Sequence, residues 1–289
     1  MEAVLDASAI SAHLRLSGGV WDVHAFDSTA STNVLVKDAI AQGVSEGYVA
    51  AALRQVAGYG RQGRTWVSPY GGLYFSLLLR PDVPVRQMPS IGPALSFAVR
   101  EALADYAHDP NDVRIKWPND VVCSAGKLCG MSCEYVEHAC CIGVGVNVFH
   151  PEQAAEVGGK NTPAYLADLM DPAAAQSLDQ VALPLHPIVA GPGERPDADQ
   201  ARLMERILVS ALESIGTVYG LWKAHGFTAL QERYESHAAL IGTSVTVVTI
   251  DDKVLAAGTV EGIDPDGCLV LRTADGTRTP ISSGEIHLR

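Results

Sequence analysis

The chain holds no Cys-x-x-Cys pair among its six cysteines, so the thiol spacing that marks zinc and redox motifs is missing. Most of the six (Cys123, Cys129, Cys133, Cys140, Cys141 and Cys268) sit in apolar stretches, where cysteine behaves as a small buried hydrophobe. They are expected to be inert core thiols. No apolar run approaches the roughly 18 to 20 residues that span a bilayer. Residues 1–10 carry Glu2 and Asp6 where a leader would carry basic residues, so a cytoplasmic protein without a membrane partner is expected. Basic charge is scarce as well: 21 Lys and Arg face 33 Asp and Glu, for a formal net charge of -12. Clustered cations supply most non-specific affinity for nucleic acid, which excludes a surface built for polyanions and makes a DNA partner unexpected.

What is present reads as globular. With 289 residues and 47% hydrophobic content there is room for one large and one small domain, at roughly 100 to 200 residues per domain. Residues 32–42 read as a helix, with Ser31 or Thr32 as N-cap and Gly43 as the stop. Short apolar runs at 48–53 and 73–79 read as buried strands of one sheet, joined by a glycine-rich loop. Helical spacing over 93–106 ends at Pro110 and Asn111, and strand-like stretches at 113–123, 127–136 and 140–149 follow as a meander. Periodicity vanishes over 171–200, a Pro- and Gly-rich insertion, and a long helix then runs from 203 to 222, extended after a break by 227–234. From 241 onward, β runs at 245–250, 258–263, 268–273 and 278–288 imply a small barrel. The expected class is α+β, with residues 1–236 as the larger domain and 237–289 as the smaller.

Chemistry concentrates in three places. Residues 55–66 place Gly58, Gly60 and Gly63 among Arg61, Arg64 and Trp66 behind Gln55. Glycine lets backbone approach a ligand, and guanidinium forks suit phosphate or carboxylate, so this loop is built to hold an anion. Its glycines fit G-x-G-x-x-G, but no helical pattern follows, which rules out the dinucleotide-fold reading. The second place is Lys116-Trp117-Pro118-Asn119-Asp120, followed by Lys127 and Gly130, where an ammonium and bare backbone face one cavity as a strand leaves a hairpin. The third is a strand interrupted by Gly143 and Gly145 and ending at Asn147; glycine weakens a strand unless something needs the room.

Together with Ser31-Thr32-Asn33, these pieces resemble, in order, the motifs of the biotin protein ligases, over roughly residues 25–289. The resemblance implies a catalytic domain related to class II aminoacyl-tRNA synthetases, a mixed sheet flanked by helices, with a small SH3-like β-barrel behind it. It implies that biotin and ATP form biotinyl-5'-AMP, with Mg²⁺ on the phosphates and no protein metal ligands, and that the biotinyl group passes to one lysine of a carboxylase's biotin carboxyl carrier domain. By resemblance, Ser31, Thr32, Asn33, Gln55, Gly58, Arg61, Lys127 and Gly130 bind biotin. Arg64, Trp66, Lys116, Asn119 and Asn147 bind the nucleotide, and Lys127, Arg61, Arg64 and Asp120 are catalytic. Asp120 has two readings, as partner of the acceptor amine or as a turn residue holding Asn119 and Lys116.

The chain departs from the family at Tyr59, where a basic residue is frequent. About two dozen residues precede the first ligase motif, so the type without an N-terminal winged-helix repressor is expected, as a monomer or weak homodimer. A lipoate or octanoate ligase would share the lysine but has no use for the arginine-glycine-tryptophan loop. A biotin-sensing DNA-binding regulator is disfavoured by the acidic charge, and a non-catalytic adaptor does not account for Lys127 beside Gly130.

Overall fold

Three strands are apolar at almost every position: β2 (Tyr48–Gln55), β3 (Gly72–Leu79) and β7 (Ala139–Asn147). Such strands must be covered on both faces. In the computed structural model, which describes residues 5–16, 21–151, 162–170, 195–249 and 251–288, they form the middle of a seven-stranded sheet. The others are β1 (Asp22–Thr29), β4 (Arg114–Lys116), β5 (Asp120–Cys123) and β6 (Gly126–Val136), in the order β1-β2-β3-β7-β6-β5-β4. Only β1 and β2 run parallel.

Period-two alternation sends neighbouring residues to opposite covers. Ala50, Leu78 and Cys141 pack under Val36, Ala39 and Ile40 of α2 (Thr32–Ala41), while Val49, Ala51, Leu77 and Ile142 join the main core. That core includes α3 (Ile91–Ala104) and the 28-residue α4 (Ala198–His225). Asp197 caps α4 by accepting from the backbone of Asp199 and Gln200 in a capping box, and Gly226 ends the helix at φ 71. A short α5 (Gln231–Ser236) leads to five antiparallel strands, β8 (Ser244–Val248), β9 (Val254–Ile263), β10 (Leu269–Arg272), β11 (Arg278–Ile281) and β12 (Glu285–Leu288), ordered β11-β10-β9-β8-β12.

This second sheet is tied to the first. Trp117 Nε1 donates to Gly267 O at 2.9 Å, and Glu235 of α5 accepts from Ile263 N at 2.9 Å. Gly267 sits at φ +82, where a Cβ would lie 2.7 Å from Ser90 Cα, so only glycine fits the turn that meets the start of α3.

Most expected elements are found, with differences. The helix α1 (Ala7–Leu16), which contacts α4 and β1, and the edge strand β1 itself have no counterpart in the sequence reading. The stretch 113–123 is not one strand: a turn over Trp117, Pro118 and Asn119 separates β4 from β5, which pair antiparallel. Of the expected insertion, 171–194 lies outside the described residues, as does Ile250, while Asp197 to Gln200 belong to the start of α4. Cys129, Cys140 and Cys141 are buried and Cys123 and Cys268 half-buried, but Cys133 is exposed on β6, contrary to the core expectation. Among the described residues no helix is long and apolar enough to cross a membrane.

Candidate active site

The N-terminus of α2 meets the centre of the sheet through hydroxyl and amide groups. Gln55 Oε1, at the end of β2, accepts from the Thr32 amide at 2.8 Å, and Gln55 Nε2 donates to Ser68 Oγ at 3.0 Å. Ser76 Oγ on β3 donates to Asn33 Oδ1 at 2.6 Å and lies 2.7 Å from Thr32 Oγ1. Asn33 Nδ2 donates to Ser132 Oγ at 3.2 Å and to Glu134 Oε1 at 3.3 Å on β6. Glu134 Oε2 in turn lies 3.0 Å from Lys37 Nζ. Ser31, Thr32, Asn33, Ser76 and Ser132 are all buried, and a buried polar chain with its partners supplied fixes each side chain's orientation.

Glycines keep this face of the sheet low. A Cβ on Gly143 would overlap Asn33 Oδ1 and stand 2.7 Å from Ser132 Oγ; one on Gly145 would stand 2.6 Å from Trp66 Nε1. On Gly130 it would lie 3.0 Å from both Lys127 Nζ and Trp66 Cη2, and on Gly58 2.5 Å from Ser68 Oγ. The interrupted strand therefore has its reason: Gly143 makes room for the asparagine and Gly145 for the indole. The Trp66 indole N–H is buried and has no hydrogen-bond acceptor among the described residues.

Cations gather at the other end. Lys127 Nζ lies 2.7 Å from Asp120 Oδ1, both side chains 15% exposed, and 5.0 Å from the centre of the Trp66 ring. The Lys127 backbone is held independently of its side chain: its N–H donates to Thr162 O at 2.8 Å, and its carbonyl accepts from Ala164 N at 2.9 Å and Asn147 Nδ2 at 3.0 Å. Arg61 Nη1 donates to Asn119 Oδ1 at 2.8 Å, and Asn119 donates to Met131 O. Burial pulls the Arg61 pKa down, with the nearby Asp120 charge working against that fall; a guanidinium stays protonated even so, and low dielectric strengthens its field on an anion.

Thr32, Asn33 and Gln55 thus share one network with Ser31 beside it, while Lys127, Asp120, Trp66, Gly130 and Asn147 form a second group that Arg61 and Asn119 adjoin. Ser31 makes no side-chain cap bond. Lys116 stands opposite Asp120 in the β4–β5 register. Arg64 is not gathered with the others: more than half exposed, it forms an ion pair with Glu285 of β12. Sequence reasoning missed Ser68, Ser76, Ser132, Glu134 and Lys37. Ser76 had a readable signal, a lone hydroxyl in the run Leu-Tyr-Phe-Ser-Leu-Leu-Leu; the others take their meaning from strand register.

A family model described as Biotin/lipoate A/B protein ligase family matches residues 25–147, and one described as Biotin protein ligase C terminal domain matches residues 240–289. The Bifunctional ligase/repressor BirA of Bacillus subtilis is 30% identical over 268 residues, covering 91% of this chain and 72% of that protein. The Biotin--[acetyl-CoA-carboxylase] ligase of Paracoccus denitrificans is 27% identical over 256 residues, covering 86% and 92%. Among solved structures, the biotin protein ligase from Aquifex aeolicus in complex with biotin and ATP superposes with a TM-score of 0.67 at 26% identity, covering 91% of this chain and 97% of that one.

Proposed function

The chain belongs to the biotin/lipoate A/B protein ligase family, and on that premise we propose how its own residues carry the reaction. The protein is an ATP-dependent biotin ligase, which activates biotin as biotinyl-5'-AMP and transfers the biotinyl group to a carboxylase. Its acceptor is a lysine of the biotin carboxyl carrier domain, its workplace the cytoplasm, and residues 1–236 and 237–289 are its catalytic and C-terminal domains. The observation that carries the site assignment is a half-buried ammonium, Lys127, beside a glycine-floored face whose far end is the Asn33 network.

Both steps gather negative charge. A carboxylate oxygen of biotin attacks the α-phosphorus, the bond to the bridging oxygen breaks, and pyrophosphate leaves. Lys127 and Arg61 reduce the repulsion between the two anions and stabilise charge on the equatorial oxygens. Mg²⁺ would enter with the nucleotide and offset part of the charge on its phosphates. Ser31, Thr32, Asn33 and Gln55 match the ureido ring, with Gly58 and Gly130 admitting the ligand against backbone. A site built for a cyclic urea rejects a lipoyl group, because each buried polar group left unpaired costs about 1 to 3 kcal/mol. Trp66 and Asn147 serve the adenosine end with Lys116 and Asn119, and Arg64 reaches the phosphates once it leaves Glu285. In the second step a neutral carrier amine attacks the acyl carbon, the acyl–phosphate bond breaks, AMP leaves, and the nitrogen gives up a proton as it becomes the amide.

The reading is tested by incubating the protein with biotin, MgATP and a purified biotin carboxyl carrier domain and weighing that domain. One biotinyl group per domain is expected; an unchanged mass, with carrier known to be competent, sinks it. Asp120 has two roles to be separated. Its 2.7 Å contact supports a part in fixing Lys127, so Asp120→Asn is expected to slow adenylation and transfer alike, by on the order of tenfold. Transfer slowed alone, measured from preformed adenylate, would instead make Asp120 the partner of the acceptor amine.

A further inference from the structure

The loop that carries the arginines is anchored at a residue the reaction does not use. Residues 58–66 form a small hairpin: Tyr59 bridges Thr65, Trp66 N donates to Gly58 O at 2.9 Å and Gly60 N to Arg64 O at 2.8 Å. Its tip, Gln62 and Gly63, is left-handed at φ 59 and 72. Besides Trp66, whose ring lies against Gly145 and Gly130 with Lys127 Nζ 5.0 Å from it, three side chains fasten this hairpin to the body of the protein: Arg61 to Asn119, Arg64 to Glu285, and Tyr59 to the pair formed by Lys37 of α2 and Glu134 of β6. The Lys37 ammonium lies 5.1 Å from the centre of the Tyr59 ring, and the phenol oxygen is fully buried. Burial, with Glu134 adding to it and Lys37 opposing, keeps that phenol above its ordinary pKa and hence neutral.

The three anchors differ in kind. Arg61 and Arg64 are anion binders, so phosphate or carboxylate competes for them and their anchors change hands during turnover. A phenol ring on an ammonium has no such competitor. Glu134 also accepts from Asn33 Nδ2 at 3.3 Å, so the third anchor stands on the polar chain that shapes the pocket.

We propose that Tyr59 is a positioning residue, which keeps the 58–66 hairpin seated over the pocket through the Lys37–Glu134 pair while the arginine anchors are exchanged for ligand. The proposal rests on the ligase reading for its kinetic consequence but not for the anchor itself. Where a basic residue must meet its charge partner to order the loop, Tyr59 docks without ligand.

Two measurements test this on the full chain, with Tyr59→Ala, Tyr59→Phe and Lys37→Met. The first is trypsin cleavage after Arg61 and Arg64 without ligand, with thermal melting as control. Tyr59→Ala and Lys37→Met are expected to be cut about tenfold faster than the parent at unchanged melting temperature, the scale of one partly desolvated cation–π contact, while Tyr59→Phe, which keeps the ring, is cut at the parental rate. The second is the loss of preformed adenylate to water: Tyr59→Ala is expected to release biotin and AMP about tenfold faster and to raise KM for biotin more than it lowers kcat, with Tyr59→Phe restoring both. Parental cleavage and leakage rates in Tyr59→Ala overturn the proposal, as does a Tyr59→Phe as weak as Tyr59→Ala. A parent that forms no adenylate sinks the ligase reading instead and leaves the cleavage test standing.

Discussion

Replacing Lys127 by alanine is expected to leave the protein folded and to slow biotinyl-adenylate formation at least about a hundredfold, the scale for one preorganised electrostatic contact at a reacting centre. The fold survives because strand pairing and the bonds to Thr162, Ala164 and Asn147 all use the Lys127 backbone. The chemistry suffers because the ammonium is 15% exposed, in surroundings that screen a charge poorly, and because its removal leaves Asp120 without the cation 2.7 Å away. Pyrophosphate release by the purified variant, followed beside its thermal melting, is the measurement. A near-parental rate would remove Lys127 from the mechanism, and a lost melting transition would show that the side chain serves the fold.

The second large effect is expected at a residue with no side chain. In Gly143→Ala the new methyl group overlaps Asn33 Oδ1 and crowds Ser132 Oγ at 2.7 Å. Asn33 must then turn, breaking its bonds to the buried Ser76 and Ser132 and to the half-buried Glu134. At about 1 to 3 kcal/mol per buried polar group left unpaired, biotin affinity falls roughly ten- to a hundredfold. Titration calorimetry with biotin reads this directly. Gly220→Ala is the control, since nothing lies within 4 Å of the Cβ it would add. If Gly143→Ala and Gly220→Ala bind biotin equally well, Asn33 is not held for the vitamin.

Elements were legible where one segment carries its own signal. The apolar runs of β2, β3 and β7, the periodicity of α3 and α4, and the stop at Gly43 are local statements, and each stands where expected. The edge strand β1, Asp-Val-His-Ala-Phe-Asp-Ser-Thr, escaped because its largely polar, half-exposed residues show neither period; it is a strand because β2 offers it a ladder. The 113–123 stretch was legible as β but not as a hairpin, since nothing around Trp117 announces that its indole bonds Gly267, 150 positions away.

By itself the sequence determined which chemistry is available: a glycine-lined loop with two guanidiniums, an indole, and a lysine next to bare backbone, each recognisable within a dozen residues. Only the tertiary structure decided pairing. It sent Arg61 to Asn119 and Arg64 to Glu285, set Lys127 against Asp120, and put Tyr59 on Lys37. Composition and backbone preference act over a few neighbouring residues, whereas the partner of a buried charge is chosen by strand register and helix packing, which bring together side chains far apart along the chain.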